Sequence, residues 1–522
     1  MTSVNAIGAR RTRFQWGDSP TVSRPIAAAL VALVAATAGL LAVTGDPVLA
    51  VLPLAVVGAA YALFATPLRF LLIGYSGMAW MVSMQAHAIP GTDGLWSSPT
   101  YPIYLLLSDN LSKTTGIDAL RFSGAEAVYV GILLIVLIRW LTSLTVPEFR
   151  PVGARIMIAS VWVSFAAVVW LEVWGLARGG DFRQSLWQFR GLFWLPVLVT
   201  LFSYSLEGPT DFPLVVRAMT VGACVKIGFG LYYMITIAWP NAHAPETLTS
   251  HEDSPLFVAV ALAWVAAWFH RPRLRSVPPT LLVVVWMLIG IVVNNRRIAF
   301  IELTVGLLLL FLFLDGPVKR LMNRTILLML PVVIVYLAVG VSRPHGIFKP
   351  AALIMSVSKQ QDASSMTRDI ENFNLIQTLK PVKLLGSGWG HEYNEVVKAD
   401  DISKYFAQYR YIAHNSILWL LGIGGLVGFT LLWMPVAIGV FLAARSYRFA
   451  ASPLERTTAV TVLTILTSYM IQSWGDMGTQ GAFSELVVAW AFAFVAQLAT
   501  HTGAWPPTAR FFAPRRAAAR IP

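Results

Sequence analysis

About fourteen stretches of this sequence are apolar for long enough to cross a lipid bilayer as helices, because a crossing helix needs roughly 20 such residues. The runs are continuous and do not alternate like the strands of a membrane barrel, so helices are favoured. The sequence therefore predicts an all-α, polytopic transmembrane helical bundle of about fourteen helices. The predicted spans are 25–44, 47–66, 70–89, 125–144, 155–175, 190–206, 213–237, 254–270, 278–294, 298–314, 325–341, 415–443, 457–473 and 483–500.

The charges fit this topology and argue against a nucleic-acid partner. Hydrophobic residues make up 57% of the 522 and charged residues only 12%, yet the net charge is +13. The basic residues stand in short clusters between alternate spans, which places those connections and both termini in the cytoplasm. The basic clusters are Arg69, Arg150, Arg155, Arg271, Arg273, Arg275, Lys319, Arg320, Arg324, Arg445, Arg448 and Arg456. The first span follows Arg10, Arg11 and Arg13 without a clear cleavage site and is predicted to be a retained anchor.

The connections on the opposite, outer side are longer. They cover about 90–124, 176–189 and 342–413, and the second is predicted to be an amphipathic piece in the interface. The third carries nine Lys/Arg and seven Asp/Glu, a composition typical of a small folded lid. The predicted organisation is a cytoplasmic basic N-terminus (1–24), helices 1–11 (25–341), the extracytoplasmic lid (342–413), helices 12–14 (414–500) and a cytoplasmic basic tail (501–522).

Three polar motifs stand on the predicted outer face. His414-Asn415-Ser416 closes the long loop and opens a glycine-bearing helix. A glycine-rich turn, Leu384-Leu-Gly-Ser-Gly-Trp-Gly-His-Glu-Tyr393, lies in the same loop. Asn294-Asn-Arg-Arg-Ile-Ala-Phe-Ile-Glu302 puts two arginines at the mouth of a membrane helix.

In this order the three motifs resemble those of the family of O-antigen ligases and polysaccharide polymerases, over roughly 180–440. The resemblance implies a helical, C-type glycosyltransferase-like fold that acts on a polyprenyl-diphosphate-linked glycan at the outer face of the bacterial inner membrane. It points to Arg297 as the family's helix-start arginine, to an arginine in the segment that holds Arg183 and Arg190, and to His414 in the closing His-Asn motif.

Arg296 and Arg297 have the chemistry that a diphosphate requires. A guanidinium stays charged and holds two oxygens at once, and a helix N-terminus adds its free amides and positive dipole. Arg297 is preferred over Arg296, and Arg190 over Arg183. The alternative for each is an arginine that extends to lipid headgroups.

His414 is predicted to be the general base. The N-terminal dipole of the following helix and nearby arginines disfavour imidazolium, so we expect a neutral ring at pH 7, with Asn415 capping the helix. The alternative is a structural histidine at a loop–helix junction. Asn415, His391 and His251 are weaker candidates for acceptor or loop contacts. Asn415 stands next to His414, His391 in a glycine turn, and His251 beside helix-capping acids.

Two charges inside predicted spans, Lys226 and Glu172, are functional candidates by their position in the membrane, although Lys226 can instead pair with a neighbouring helix. The sequence has a single cysteine, Cys224, and no metal-ligand motif, so we expect no metal and no cofactor.

The predicted activity is polymerisation of lipid-linked oligosaccharide repeat units into cell-surface polysaccharide. One alternative is a ligase that transfers the glycan to lipid A core or another acceptor. Another is a polysaccharide flippase, although no inverted pair of broken helices is apparent, and the last is a non-catalytic scaffold. The expected partners are the lipid-linked glycan, an acceptor glycan or glycolipid, membrane lipid and other polysaccharide-assembly proteins.

Overall fold

The computed structural model describes residues 24–44, 53–54, 57–58, 63, 65–89, 94–117, 122–142, 153–241, 248–250, 253–314, 316–342, 348, 351, 363–398, 401, 403, 408–478 and 481–505. Apart from isolated positions, the predicted span 47–66 lies outside the described residues, as do segments 1–23 and 506–522. The chain divides into two units, residues 1–66 and 67–522.

In the first unit the described helix is α1 (Arg24–Thr44), which exposes apolar side chains such as Val31 and Val34. The second unit contains one antiparallel hairpin among its described residues, β1 (Ala86–Ala88) paired with β2 (Leu95–Ser97). Its helices are α2 (Leu68–Met81), α3 (Tyr101–Ser108), α4 (Leu111–Thr115), α5 (Gly124–Thr142), α6 (Arg155–Ala177), α7 (Phe182–Ser205), α8 (Phe212–Tyr233), α9 (Asp253–His270), α10 (Val277–Asn294), α11 (Arg297–Phe313), α12 (Gly316–Ser342), α13 (Ala363–Leu379), α14 (Ser416–Phe449), α15 (Pro453–Gly475) and α16 (Ala482–His501).

Seven of the described helices are long and apolar enough to cross a membrane, namely α6 to α10, α12 and α14. Helix α12 exposes Leu327, Leu328, Val332 and Val335, as a helix that faces lipid does. Helix α9 lies at the other extreme, with most of its length buried among the other helices. These features confirm an all-α, multi-pass membrane protein, while the number of fourteen spans stays a prediction.

The predicted span 70–89 is wrong. Helix α2 ends at Met81, and the chain continues in extended form into β1. Two buried polar residues make this possible, because the Ser83 hydroxyl accepts a bond from the Gln85 amide (3.3 Å) and the Gln85 side chain reaches the Lys226 carbonyl (3.2 Å). The apolar run thus predicted a helix where buried polar groups support an extended backbone.

The predicted connection 176–189 is shorter in the structure than expected, while its position in the membrane interface stays a prediction. Helix α7 begins at Phe182, and the turn that joins it to α6 is short. The Asp181 side chain caps α7 by accepting the Gln184 amide (2.9 Å), which stabilises this early start. Ser185 donates to Glu172 (2.8 Å), so the intramembrane carboxylate ties α6 to α7.

Helix α14 is broken at Gly425, where φ is 57°. The break frees backbone groups on both sides, and the glycine-rich turn of the long loop pairs with them. Such pairing is required in lipid, where no water can replace the lost helical bonds. The four bonds run from Ser387 N to Gly422 O (3.0 Å), from Gly388 N to Ile423 O (2.9 Å), from Leu426 N to Lys383 O (2.8 Å) and from Val427 N to Leu384 O (3.1 Å).

The other side of the glycine-rich turn packs against α6. Gly386, Gly388 and Gly390 all have positive φ, and a side chain at Gly388 would collide with the backbone of Gly175. Trp389 is fully buried and donates its indole N–H to the Val168 carbonyl (3.0 Å). The glycine-rich turn therefore packs between α6 and the two halves of α14.

A buried ion pair joins α8 to α9. The Lys226 ammonium lies 2.5 Å from Oδ1 of Asp253, and both side chains are 3% exposed. The Asp253 carboxylate also accepts the Ser250 amide (2.9 Å). Of the two interpretations of Lys226, the structure thus supports pairing with a neighbouring helix.

Alanine substitutions at two glycines can separate the cost of backbone strain from the cost of steric crowding in the packed turn. Gly179 has a φ of 86° and open space where a side chain would stand, whereas Gly388 has a similar φ of 83° in full contact with α6. We expect Gly179→Ala to lower the free energy of unfolding by about 1–2 kcal/mol. Gly388→Ala should lower it by more than about 4 kcal/mol, because backbone must move. Thermal unfolding in detergent measures both decreases in stability. Equal decreases for the two variants would contradict the tight packing of Gly388 against α6.

Candidate active site

His414 lies at the junction between the long loop and α14. The next residue, Asn415, is the N-cap of α14 and accepts the Leu418 amide (3.1 Å). The Ser416 hydroxyl then donates to the Asp476 carbonyl (3.4 Å), just beyond the end of α15. His414 is thereby held where the beginning of one membrane helix meets the end of another.

Glu371 of α13 holds the imidazole of His414. Its Oε2 and Oε1 lie 3.1 Å and 3.3 Å from Nδ1, and Oε2 also accepts the His414 backbone amide (3.2 Å). A carboxylate can only accept, so Nδ1 carries the proton and Nε2 is left as the second ring nitrogen. This is the arrangement in which a carboxylate fixes the tautomer and orientation of a histidine base.

The expectation that the helix dipole lowers the pKa of His414 is corrected by this pair. The hydrogen bond to Glu371 raises the pKa of His414 above its usual 6.5, and outweighs burial and the nearby Arg368, which both lower it. The charge of Asp476 adds to the rise. A specific carboxylate in contact therefore decides the direction of the pKa shift, and not the more distant dipole.

Helix α13 is held by contacts on both sides of Glu371, which fixes the position of this residue. Arg368 donates from Nη1 to the carbonyl of Gly475, the last residue of α15 (2.7 Å). Asn374 is fully buried and accepts the amides of Val396 and Val397 (3.0 and 2.9 Å). The carboxylate is thus placed by folded loop structure rather than by a membrane helix.

Arg297 is the first residue of α11, and Arg296 is its N-cap. Both are partly buried, and they follow Asn295, whose φ of 56° turns the chain between α10 and α11. Ile298 lies directly against Gly475, so the start of α11 meets the same helix end as Arg368. The segment Gly475–Asp476 therefore joins the arginine-bearing helix start to the His414 junction.

The two arginines of the second predicted pair, Arg183 and Arg190, lie in different surroundings. Arg190 lies in α7, where Nε is 3.2 Å from Glu126 and Nη2 is 3.4 Å from Asn110. Its guanidinium also stacks over the Trp187 ring at 4.4 Å. Arg183 is exposed in the first turn of the same helix.

The remaining described candidates for acceptor contact, His391 and Asn415, make contacts that stabilise the fold. His391 lies 3.2 Å from the Gly175 carbonyl through Nε2, and its own carbonyl accepts Gln188 (3.1 Å). It therefore docks the glycine-rich turn on α6 and α7, and Asn415 acts as a helix cap. His251 lies outside the described residues.

A cavity of about 420 Å³ lies beside this junction. Its walls come from α3, α5, α7, the end of α15 and the start of α16, with Gln408 and Ile412 of the long loop. Described residues from all three predicted outer connections, such as Asp109, Trp187 and Ile412, thus line one cavity. Asp476 both lines the cavity and lies near His414.

Sequence reasoning missed Glu371, Arg368, Asp476 and the cavity carboxyl Glu485. Glu371 and Arg368 stand in Ser365-Met-Thr-Arg-Asp-Ile-Glu371, which reads as an ordinary polar helix of a loop. Asp476 follows a membrane span at a position where any polar residue is expected. Tertiary contacts distinguish these residues from their neighbours. Glu371 contacts His414, Arg368 binds the end of α15, and Asp476 and Glu485 line the cavity.

Residues 282–434 match the model of the protein family described as O-Antigen ligase. The matched range runs from α10 into α14 and contains Arg297, Glu371 and His414. The resemblance recognised from the sequence motifs is thereby confirmed. No curated protein matches the chain.

The His414–Glu371 pair can be tested without an assay of function. Diethyl pyrocarbonate modifies neutral imidazole, so its reaction with His414 should have a midpoint above pH 6.5. Glu371→Gln removes the anion that favours imidazolium, and the midpoint should move to lower pH. Peptide mass spectrometry measures the modification, with exposed His501 as the internal control. An unchanged midpoint in the variant would show that Glu371 does not govern the ring.

Proposed function

We propose that this protein is a membrane glycosyltransferase that polymerises lipid-linked oligosaccharide repeat units at the outer face of the bacterial inner membrane. The observation that supports it is the His414–Glu371 pair beside the helix start that carries Arg297, within the region that matches the O-Antigen ligase family. The donor is a polyprenyl-diphosphate-linked glycan, and the fold is of the C-type glycosyltransferase kind.

His414 acts on the acceptor in this proposal. Nε2 takes the proton of an acceptor hydroxyl while that oxygen attacks the anomeric carbon of the donor sugar. The bond from that carbon to the diphosphate oxygen breaks, and polyprenyl diphosphate leaves with the electron pair. Glu371 orients the ring and balances the imidazolium that forms, as a carboxylate does in histidine-based catalysis generally.

Arg297 acts on the donor. The helix start of α11 adds free amides and a positive dipole end to its guanidinium, a combination suited to a diphosphate. Charge develops on the bridging oxygen as the glycosidic bond breaks, so fixed cations there stabilise the transition state more than the bound donor. Because diphosphate is already a good leaving group, this chemistry requires no metal or cofactor.

Ligation to lipid A core or another acceptor is the second candidate, since it differs only in the acceptor. A flippase is less compatible with the geometry. The break in α14, a feature that could otherwise form an ion or substrate site, is filled by bonds to the glycine-rich turn. A non-catalytic scaffold would not require a histidine base held by a buried carboxylate.

The roles proposed for His414 and Arg297 predict different defects, which can be measured in purified protein supplied with lipid-linked donor and acceptor. His414→Gln should lower turnover by about 10²–10⁴ and leave donor binding intact, because the amide cannot take the proton. Arg297→Ala should weaken donor binding, and Arg297→Lys should restore it only in part, since a point charge lacks the bidentate fork.

Arg448→Ala is the matched control, because this exposed arginine lies at the far end of α14 and should retain full activity. The pH profile adds a further readout. The acid-side limb should follow the raised pKa of His414, and Glu371→Gln should move that limb to lower pH. Wild-type turnover in His414→Gln would reject the base, and full donor binding in Arg297→Ala would reject the diphosphate contact.

Polymerase and ligase are separated by the intermediates that accumulate when the gene is deleted. A polymerase defect leaves single repeat units on the lipid carrier, which is the expected result. A ligase defect leaves long chains on the carrier and would favour the second candidate. Donor retained in the cytoplasmic leaflet would instead support transport. Extraction of the lipid-linked glycans and sizing by mass spectrometry distinguish the three.

A further inference from the structure

The break in α14 marks one end of the part of this helix that can cross a membrane. After Gly425 the helix continues over residues 426–449, which is about 36 Å at about 1.5 Å per residue and enough to cross a hydrocarbon core of about 30 Å. Helix α6, which is also long and apolar enough to cross, ends at Ala177. Arg178, the next residue, donates from Nη1 to the Gly386 carbonyl (2.9 Å), and Gly386 lies directly against Gly425. The glycine-rich turn therefore stands at the level where both helices reach the edge of such a core.

Apolar side chains of the glycine-rich turn continue an exposed apolar surface of α14. Leu384 is 63% exposed and Leu426 is 59% exposed, and Leu385 and Val427 are exposed as well. The Val427 amide donates to the Leu384 carbonyl (3.1 Å), so these side chains stand on neighbouring backbone segments. A contiguous exposed apolar patch marks an interaction surface, and on a membrane helix the partner is lipid. Lipid that covers Leu426 and Val427 therefore also reaches the two leucines of the turn.

Arg178 and Trp174 lie beside this patch on α6. The Trp174 indole also donates to the Gly386 carbonyl (3.2 Å), and the Arg178 guanidinium lies 5.5 Å from the centre of the Trp174 ring. Arg178 is exposed, and its bond to Gly386 uses only part of its donor capacity. The carboxylate of Asp181, close by in the chain, accepts the Gln184 amide as the cap of α7 (2.9 Å). Tryptophan and arginine at such a level are typical of residues that meet lipid headgroups.

Two lysines of the long loop add positive charge next to the exposed leucines. Lys383 immediately precedes Leu384, and its carbonyl accepts the Leu426 amide (2.8 Å). Lys380 follows the last residue of α13 and donates to the Gln377 side chain (2.8 Å). Both lysines are exposed, and neither forms an ion pair with a carboxylate in the described part of the chain. The turn thus combines apolar side chains with positive charge that can bind an external anion.

We name these residues the basic–apolar surface, which consists of Arg178, Lys380, Lys383, Leu384 and Leu385. We propose that the basic–apolar surface binds the phosphate headgroup of an anionic phospholipid and that the bound lipid holds the glycine-rich turn on α14. The cations are complementary to the phosphate, and the leucines are continuous with the lipid-facing side of α14. A phospholipid is favoured over the lipid-linked donor, because the surface is exposed and none of its residues lines the cavity at the candidate active site.

The bound lipid affects the candidate active site through α13. Lys380 directly follows this helix, whose Glu371 holds the imidazole of His414. A ligand that binds only the docked form of the loop stabilises that form, so the position of Glu371 becomes better defined. This inference goes beyond the proposed reaction and does not depend on it, because it concerns only how the long loop is held on the membrane helices.

Hydrogen exchange tests the proposal at the turn itself. The full chain is placed in nanodiscs of phosphatidylcholine alone or of phosphatidylcholine mixed with phosphatidylglycerol, and the peptide that contains residues 383–388 is followed by mass spectrometry. The amides of Ser387 and Gly388 donate to α14 and exchange when the turn opens. We expect phosphatidylglycerol to slow this exchange about tenfold, because it binds only the docked turn. Equal exchange in the two lipid mixtures would overturn the proposal.

Substitutions assign the effect to the basic–apolar surface. The double variant Lys380→Gln with Lys383→Gln should lose the protection by phosphatidylglycerol. Neither of these side chains bonds to the turn, so the docking bonds themselves are retained. Lys113→Gln is the matched control, because this exposed lysine is paired with Asp109 (3.4 Å), and it should keep the protection. Protection that persists in the double variant would show that the lipid acts elsewhere and would reject the proposed surface.

The source of the phosphate is decided with farnesyl diphosphate, a short polyprenyl diphosphate, added to nanodiscs of phosphatidylcholine. We expect it to protect the turn less than phosphatidylglycerol does. Protection equal to or greater than that given by phosphatidylglycerol would identify the surface as a contact of the lipid carrier, and the phospholipid proposal would then be wrong.

Discussion

Backbone amides and carbonyls inside a bilayer must be paired by the protein itself, and the rest of this structure depends on how α14 meets that requirement. The helix breaks at Gly425, and the freed groups on both sides are paired by the glycine-rich turn around Gly388. The long loop is thereby fixed to the membrane bundle. Since the loop also carries Glu371, the position of the His414 partner follows from the same backbone pairing.

Two cations in the described part of the bundle form ion pairs with a neighbouring helix. Lys226 of α8 pairs with Asp253 of α9, and Arg190 of α7 pairs with Glu126 of α5, so both pairs link helices. Removing one member of such a pair leaves an uncompensated buried charge, which is why buried pairs are hard to alter singly. Arg297 differs in position, because it opens a helix whose N-terminal amides and dipole favour an anion.

The sequence predicted the helices well where apolar length alone decides. It was wrong at 70–89 because Ser83 and Gln85 satisfy an extended backbone within an apolar run, and it overestimated the length of the connection 176–189 because Asp181 caps α7 early. For His414 the motif gave the residue, while the expected direction of its pKa shift was wrong. A helix dipole can be inferred from the sequence at a helix start. The contact with Glu371 cannot, because Glu371 lies 43 positions away in the chain.

The sequence by itself determined that the chain is a helical, multi-pass membrane protein, because hydrophobic length and charge placement are properties of consecutive residues. It also determined the family resemblance, through motifs that each fit within a short segment. The tertiary structure alone decided that Glu371 orients His414, that Arg190 pairs with Glu126, and that Asp476 and Glu485 share a cavity. These facts depend on contacts between distant segments, and such contacts are set by helix packing, which leaves no periodic trace in the sequence.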